Sequence, residues 1–332
     1  MAGVQTSANV QADFELQLQQ HRRALTGYCY RMLGSSFEAE DAVQEAFLRA
    51  WRNIDRFEGR SAFKSWLYKI ATNVCLDMLD GRKRRARPMD LSTVSMPESA
   101  HLTTSPEATW LEPIPDARVL TDDADPAELA QERETLRLAF VNALQHLPAK
   151  QRSVLILREV LRWSAAETAE LLDTSVPSVN SALQRARASL DDAGVKLAQD
   201  ASQLDTDQQE LVDRYLKAFE AYDMDSLVAL LAEDATMSMP PYDLWLQGPE
   251  HIRTWFVTAG APCEGSKLIR TTANGLPAYG QYRRNADGSG YHPWGLGVLE
   301  ISDGRIVGIN TFLDVDRLFP LFGLPPVPPD DA

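Results

Sequence analysis

The sequence predicts a multidomain chain: two all-α units, the second ending in a helix-turn-helix, followed by a C-terminal α+β domain. Three observations carry that prediction. Apolar residues recur at helical spacing from Phe14 to about Arg85 and again from Pro126. An acidic, proline-rich stretch without periodicity lies between them. After about Asp205 the pattern changes to amphipathic helices and then to alternating segments broken by "NG", "DGSG" and "DG". With 332 residues and an apolar fraction of 44%, the chain has material for several cores.

In the first unit, "AEDAVQEAFLRAWRNIDRF" sets Ala42, Val43, Ala46, Phe47, Ala50 and Trp51 on one stripe. Asp41 is expected at the start of that helix, where a carboxylate suits the dipole. A second helix, "SAFKSWLYKIATNVCLDMLDGRKRRAR", turns Phe63, Trp66, Leu67, Ile70, Val74 and Leu76 inward and ends near Gly81. Residues 88–127 form the linker, with "TWLEPIPDARVLTDDADP" as its one island with apolar content. Helices resume with "AELAQERETLRLAFVNALQHL" and "PAKQRSVLILREVL". In the closing hairpin, Ser175 caps a helix whose buried side is expected to carry Val176, Val179, Leu183, Ala186 and Leu190. Its exposed side reads Ser178, Asn180, Ser181, Gln184, Arg185 and Arg187, the side that meets base edges and phosphates in a helix-turn-helix.

The formal charge is −14, but it is unevenly spread. Residues 49–87 hold 11 basic and 4 acidic side chains, and residues 88–136 hold 2 and 11. A local basic patch matters more for nucleic acid than the total does. In "FKSWLYKIATN" aromatic and basic residues interleave, which suits unpaired bases that stack while cations follow the backbone. The N-terminal residues contain no apolar run of signal-peptide type, and no stretch approaches a membrane span. Cys29, Cys75 and Cys263 form no Cys-x-x-Cys pair, and the five histidines show no ligand spacing. The expectation is a cytoplasmic protein with buried thiols and with no disulfide, metal or cofactor.

Two blocks resemble the extracytoplasmic-function (ECF) group of bacterial RNA polymerase sigma factors. "DAVQEAFLRAWRNIDRFEGRSAFKSWLYKIATNVCLDMLDGRKRR" is similar to sigma region 2, and "LQHLPAKQRSVLILREVLRWSAAETAELLDTSVPSVNSALQRARASL" to region 4. The resemblance implies binding to core RNA polymerase, through its β′ and β subunits, and to promoter DNA. It assigns polymerase docking to Asp41, Gln44, Phe47, Leu48 and Trp51. Opening and capture of the −10 element falls to Lys64, Trp66, Lys69 and Asn73, continued by Arg82, Lys83, Arg84 and Arg85. Reading of the −35 element falls to Ser175, Ser178, Asn180, Ser181, Gln184, Arg185 and Arg187. Two departures stand out: Asp173 occupies a turn where glycine is frequent in the family, and Asn180 and Ala182 stand where Lys and Arg often do. The fewer phosphate contacts imply weak binding to free DNA. Trp110, Leu111, Glu112 and Pro113 resemble a linker motif of sigma factors that carry an extra C-terminal domain.

The last part resembles the SnoaL-like branch of the nuclear-transport-factor superfamily, a cone of curved sheet around helices. Expected strands are Lys267–Gly275, Ala278–Arg284, Tyr291–Ile301 and Arg305–Leu313, after a strand bearing Met237 and Met239. Such cones often hold a pocket for a small hydrophobic ligand. Its expected lining is Tyr215, Met237, Met239, Trp245, Trp255, Phe256, Trp294 and Phe312, with Asn274, His292, Asn310 and Asp314 as polar groups. No residue set has the spacing of a nucleophile or an acid–base pair, so the domain is expected to regulate in cis rather than to catalyse. The expected domains are sigma region 2 over 10–87, the linker over 88–127, region 4 over 128–198 and the SnoaL-like domain over 205–322. The alternatives are a DNA-targeted SnoaL-like enzyme and a DNA-binding regulator that does not act as a sigma factor.

Overall fold

The computed structural model describes residues 2–54, 57, 62–97, 102, 104, 110–120, 125–192 and 206–329. Two units divide the chain and interleave in sequence: Met1–Arg84 with Ala117–Gln199, and Arg85–Asp116 with Asp200–Ala332. The first carries helices α1 (Ala2–Leu33), α2 (Ser36–Arg52) and α3 (Phe63–Leu79). After a one-turn helix α4 (Pro88–Leu91), which belongs to the second unit, it continues with α5 (Pro126–Glu134), α6 (Leu138–Gln145), α7 (Ala149–Leu155), α8 (Ala165–Leu171) and α9 (Val176–Asp192).

Helix α2 starts earlier than expected. The Ser35 hydroxyl accepts from the Glu38 amide at 3.2 Å, so capping falls there and Asp41 sits in the second turn. Ala42, Val43, Ala46, Phe47 and Ala50 are buried as the stripe predicts, whereas Trp51 is 40% exposed. Gly81, at φ 69°, takes the left-handed conformation just past α3. The helix expected to begin at Pro126 breaks at Thr135–Arg137 into α5 and α6. The Thr135 carbonyl there is taken by Arg31 Nε at 3.2 Å and its hydroxyl by Arg31 Nη2 at 2.7 Å.

The second unit is α+β. Helices α10 (Thr206–Glu220), α11 (Met224–Val228) and α12 (Pro249–Val257) accompany a six-stranded sheet, and α13 (Val315–Leu321) follows it. The strands are β1 (Leu231–Ser238), β2 (Trp245–Gln247), β3 (Lys267–Ala273), β4 (Leu276–Arg284), β5 (Tyr291–Ser302) and β6 (Arg305–Phe312). Their order is β2-β1-β6-β5-β4-β3, antiparallel except for β1 beside β6. The "NG" and "DG" signals mark two-residue hairpins. Asn274 and Gly275 (φ 57° and 71°) join β3 to β4, and Asp303 and Gly304 (φ 50° and 68°) join β5 to β6. Strand β2 and helix α13 were not anticipated; both are too short for a clear period.

The core of this unit is aromatic and tightly filled. The hydroxyls of fully buried Tyr215 and Tyr279 lie 3.1 Å apart, and burial raises the pKa of both. A Cβ at Gly297 would stand 2.6 and 2.7 Å from Cε2 and Cε1 of Tyr279. Gly297→Ala is therefore expected to destabilise the unit by about 1–3 kcal/mol through overpacking, read as an earlier urea midpoint with an unchanged slope.

Candidate nucleic-acid interface

In the first unit, α3 brings its basic and aromatic residues against the helix-turn-helix half. Lys69 Nζ reaches Asp173 Oδ1 at 2.6 Å, and Asp173 holds the hairpin turn at φ 48° where glycine was expected. The rings of Tyr68 and Trp163 are 5.2 Å apart, and Lys64 Nζ lies 5.9 Å and 6.0 Å from their centroids. Trp66 is half-buried against Phe57, 5.0 Å between centroids, and Asn73 is exposed. Arg82 pairs with Glu38 at 2.5 Å, Arg84 Nη1 lies 2.8 Å from His146 Nδ1, and Lys83 is exposed.

Beneath these surface contacts are two buried arginines. Arg31 spans to Thr135, and Arg152 donates to the Met32 carbonyl, to Gln145 Oε1 at 2.6 Å, and to the Gln145 and Leu147 carbonyls at 3.1 Å each. Burial pushes both guanidinium groups down to about 10, far enough above neutrality to keep them charged. The exposed Lys69–Asp173 pair contributes at most about 1 kcal/mol. Packing and the buried arginines, not the surface pair, hold the two halves together.

Helix α9 is capped as predicted, with the Ser178 amide donating to Ser175 Oγ at 3.3 Å. Val179, Leu183, Ala186 and Leu190 are buried, but Val176 is 39% exposed, in a stretch from Asp173 to Ser178 that is exposed throughout. Ser175, Ser178, Asn180, Ser181, Gln184, Arg185 and Arg187 are all exposed. Arg185 donates to Ser181 Oγ at 2.6 Å, and Arg187 pairs with Glu159 at 2.6 Å. Asn180, Gln184 and Arg187 line one open groove of about 530 Å³ together with Arg158 and Asp191.

On α2, Asp41, Gln44, Leu48 and Trp51 are exposed, Leu48 at 50%. Phe47 is not part of that surface: it is buried at 9% exposure, with the Arg22 guanidinium 4.9 Å from its ring centre. The end of the linker, from Ala117 on, belongs to the first unit and also reaches this region. Arg118 pairs with Glu40 at 3.2 Å, Arg23 donates to the Leu120 carbonyl at 3.4 Å, and Asp41 and Gln44 share a cavity of about 350 Å³ with Arg22, Arg23 and Arg118.

Arg85, expected among the DNA-facing cations, faces inward in the second unit. It is 8% exposed and donates to the Trp110 carbonyl at 2.6 Å, with Glu112 3.8 Å away. Trp110, Leu111 and Pro113 are buried. Residues 85–116, which take in the end of the expected region 2 and most of the spacer read over 88–127, are thus built into the C-terminal unit. The polar residues expected around a pocket largely serve this attachment. Asn310 Oδ1 accepts from Arg87 Nη2 at 3.1 Å, Asn310 Nδ2 donates to Glu300, and Arg87 also reaches Glu300 at 3.0 Å. Trp245 Nε1 donates to the Ser92 carbonyl at 3.0 Å. Asn274 Oδ1 accepts from the Ile114 amide at 3.0 Å. Asp314 pairs with Arg317, which lies 3.8 Å from Glu112. Tyr215, Met237, Met239, Trp255 and Phe256 are core, and Phe312 is buried. Trp294 is covered by Arg283, 3.3 Å from its ring centre, and His292 bonds Asn285 at the surface.

A basic, aromatic helix packed beside a helix-turn-helix reader is the makeup of a bacterial RNA polymerase sigma factor, and known families agree. Residues 18–85 match Sigma-70 region 2, residues 137–190 match Sigma-70 region 4, and residues 212–309 match the SnoaL-like domain. The ECF RNA polymerase sigma factor SigG of Mycobacterium tuberculosis is 45% identical over 317 residues, covering 94% of this chain and 84% of that protein. SigW of Bacillus subtilis, also an ECF sigma factor, is 34% identical over 166 residues, covering 49% and 78%. The crystal structure of the Mycobacterium tuberculosis extracytoplasmic function sigma factor SigJ shares the fold, with TM-score 0.60, 22% identity, and 95% and 99% coverage. The chain belongs to the ECF family of RNA polymerase sigma factors. As such it acts with core RNA polymerase on promoter DNA as an initiation factor. Among the described residues no helix is long and apolar enough to cross a membrane, and all three cysteines are buried and free.

Proposed function

We propose that the C-terminal unit regulates this sigma factor in cis, through the linker that it holds. The carrying observation is that residues 85–116, the covalent connection between region 2 and region 4, belong to the C-terminal unit and bond to it through Arg87, Ser92, Ile114 and Asp116. The domain's polar groups serve linker binding, which supports a regulatory rather than a catalytic role. A small hydrophobic ligand would have to open that filled aromatic core, and would bias regulation only by preferring one linker state over the other. In vitro transcription with core polymerase tests the reading. A chain ending near residue 200 and the Arg87→Ala variant should both differ from full-length protein in transcript yield, and equal yields would remove it.

Within the sigma part, the exposed residues of α2 (Asp41, Gln44, Leu48, Trp51) form the polymerase-docking surface. Lys64, Trp66, Lys69, Asn73 and Arg82–Arg84 take the −10 element, and α9 reads the −35 element. Lys69 and Arg84 are engaged with region 4, so −10 capture requires the two halves to part. Asn180→Ala is expected to cost about 1–3 kcal/mol of discrimination at the −35 element. Arg185→Ala should instead weaken binding to all sequences and reduce the salt slope by about 0.9. Holoenzyme binding to promoter variants across a salt series separates the two effects.

A further inference from the structure

The linker does more than dock: it folds back on itself. Ala86 and Trp110 pair as parallel backbone neighbours, with the Leu111 amide donating to the Ala86 carbonyl at 3.1 Å. The buried Arg85 side chain closes the same junction on the Trp110 carbonyl. Each limb is then pinned to the C-terminal sheet. On the outgoing limb, Arg87 binds Glu300 and Asn310 across β5 and β6. On the returning limb, Asn274 pairs with Ile114 in both directions at 3.0 Å, and Asp116 Oδ1 accepts from the Gly275 amide at 2.7 Å. Glu112 lies 3.8 Å from both Arg85 and Arg317.

This clasp takes about 24 residues out of the tether, because the path from region 2 to region 4 steps from Ala86 directly to Trp110. Once Arg118 and Leu120 leave Glu40 and Arg23, the fully extended chain from Arg84 to Asp125 would span about 140 Å with the clasp open and about 60 Å with it closed. The difference, about 80 Å, equals about 24 base pairs of helix rise. A clasped linker therefore leaves the two promoter-reading halves far less play than an open one. We propose that the clasp is a specificity determinant: by shortening the tether, the C-terminal unit narrows the range of −35 to −10 spacings that the sigma factor accepts. The proposal rests on the reading that this unit acts in cis through the linker. Tethered engagement falls with roughly the −3/2 power of length, so opening the clasp lowers the effective concentration of the second DNA contact about fourfold.

The test is transcription by full-length protein and core polymerase from promoters whose −35 to −10 spacing is varied by 1–3 base pairs each way. A ten-residue Gly/Ser insertion after Glu98 lies inside the clasped loop; the same insertion after Thr121 lies outside it. The inner insertion should leave the spacing profile as in the parent. The outer one should broaden it and lower yield at the best spacing about twofold. Arg87→Ala combined with Asn274→Gly should broaden it further, with about a fourfold loss, and the inner insertion should now add to the effect. Equal effects of the two insertions would overturn the proposal. Yields that change alike at every spacing would also overturn it while leaving cis regulation standing, whereas no change in any variant would remove both.

Discussion

Arg152→Ala should cost the sigma part about 3–5 kcal/mol, the largest loss expected from any single substitution considered. The side chain is 5% exposed and carries a charge with several carbonyl oxygens as its partners. Removing it leaves a cavity of several methylenes and strips buried acceptors on Met32, Gln145 and Leu147 of their donor. Met32 belongs to the region 2 half and the others to the region 4 half, so the damage falls on the packing between them. Arg152→Met keeps most of the volume and isolates the hydrogen bonds; about 2 kcal/mol should remain. Arg152→Lys is no conservative change, since one ammonium cannot meet acceptors arranged around a planar fork. Urea unfolding followed by hydrogen exchange in α1, α6 and α7 reads the effect locally. A methionine variant as stable as the parent would show that packing alone joins the halves.

Asn274→Ala should destabilise the C-terminal unit by about 2–4 kcal/mol. Asn274 is fully buried at φ 57°, a conformation asparagine tolerates and alanine resists, at about 1 kcal/mol or more. Its side chain also satisfies the Ile114 amide, and an unpaired buried donor costs about 1–3 kcal/mol. Asn274→Gly removes only the second contribution, so it should fall between parent and alanine. Thermal unfolding of the two variants separates backbone strain from the lost hydrogen bond; equal losses would mean that the φ angle is not the source. Both variants should also raise hydrogen exchange at Ile114, which a purely local turn defect would not do.

What the sequence shows and what it hides divide by range. Helices α2, α3 and α9 were legible because their cores are written every three or four residues, and the β3–β4 and β5–β6 turns because positive φ angles demand Asn-Gly and Asp-Gly. The linker's attachment was not legible. It depends on single polar side chains, such as Arg87 and Asn310, that meet across 223 residues and leave no periodic trace. The same gap misplaced Asn274, Asn310 and Asp314 in a pocket: inward-looking polar residues suggested a ligand, and their partner is the chain itself. Arg85 misled for a related reason, since a run of basic residues does not disclose that its last member turns inward. Phe47 was ambiguous from the start, being at once a member of the core stripe and of the docking surface; burial assigns it to the core.

The interleaving of the two units also sets an order of events on the ribosome. The linker leaves the exit tunnel well before the domain that captures it, because β1–β6 are encoded after residue 230. At about 5–20 residues per second, roughly 10–40 s separate synthesis of the linker from that of the last strand and α13. Both sigma halves are complete in that interval, so every new molecule passes through a period in which its two promoter-reading parts exist and the strands that hold residues 85–116 do not. A chain cut short by stalling or proteolysis in the sheet is held in that state permanently. Loss of the C-terminal end therefore leaves both promoter-reading halves intact and residues 85–116 without the sheet that binds them.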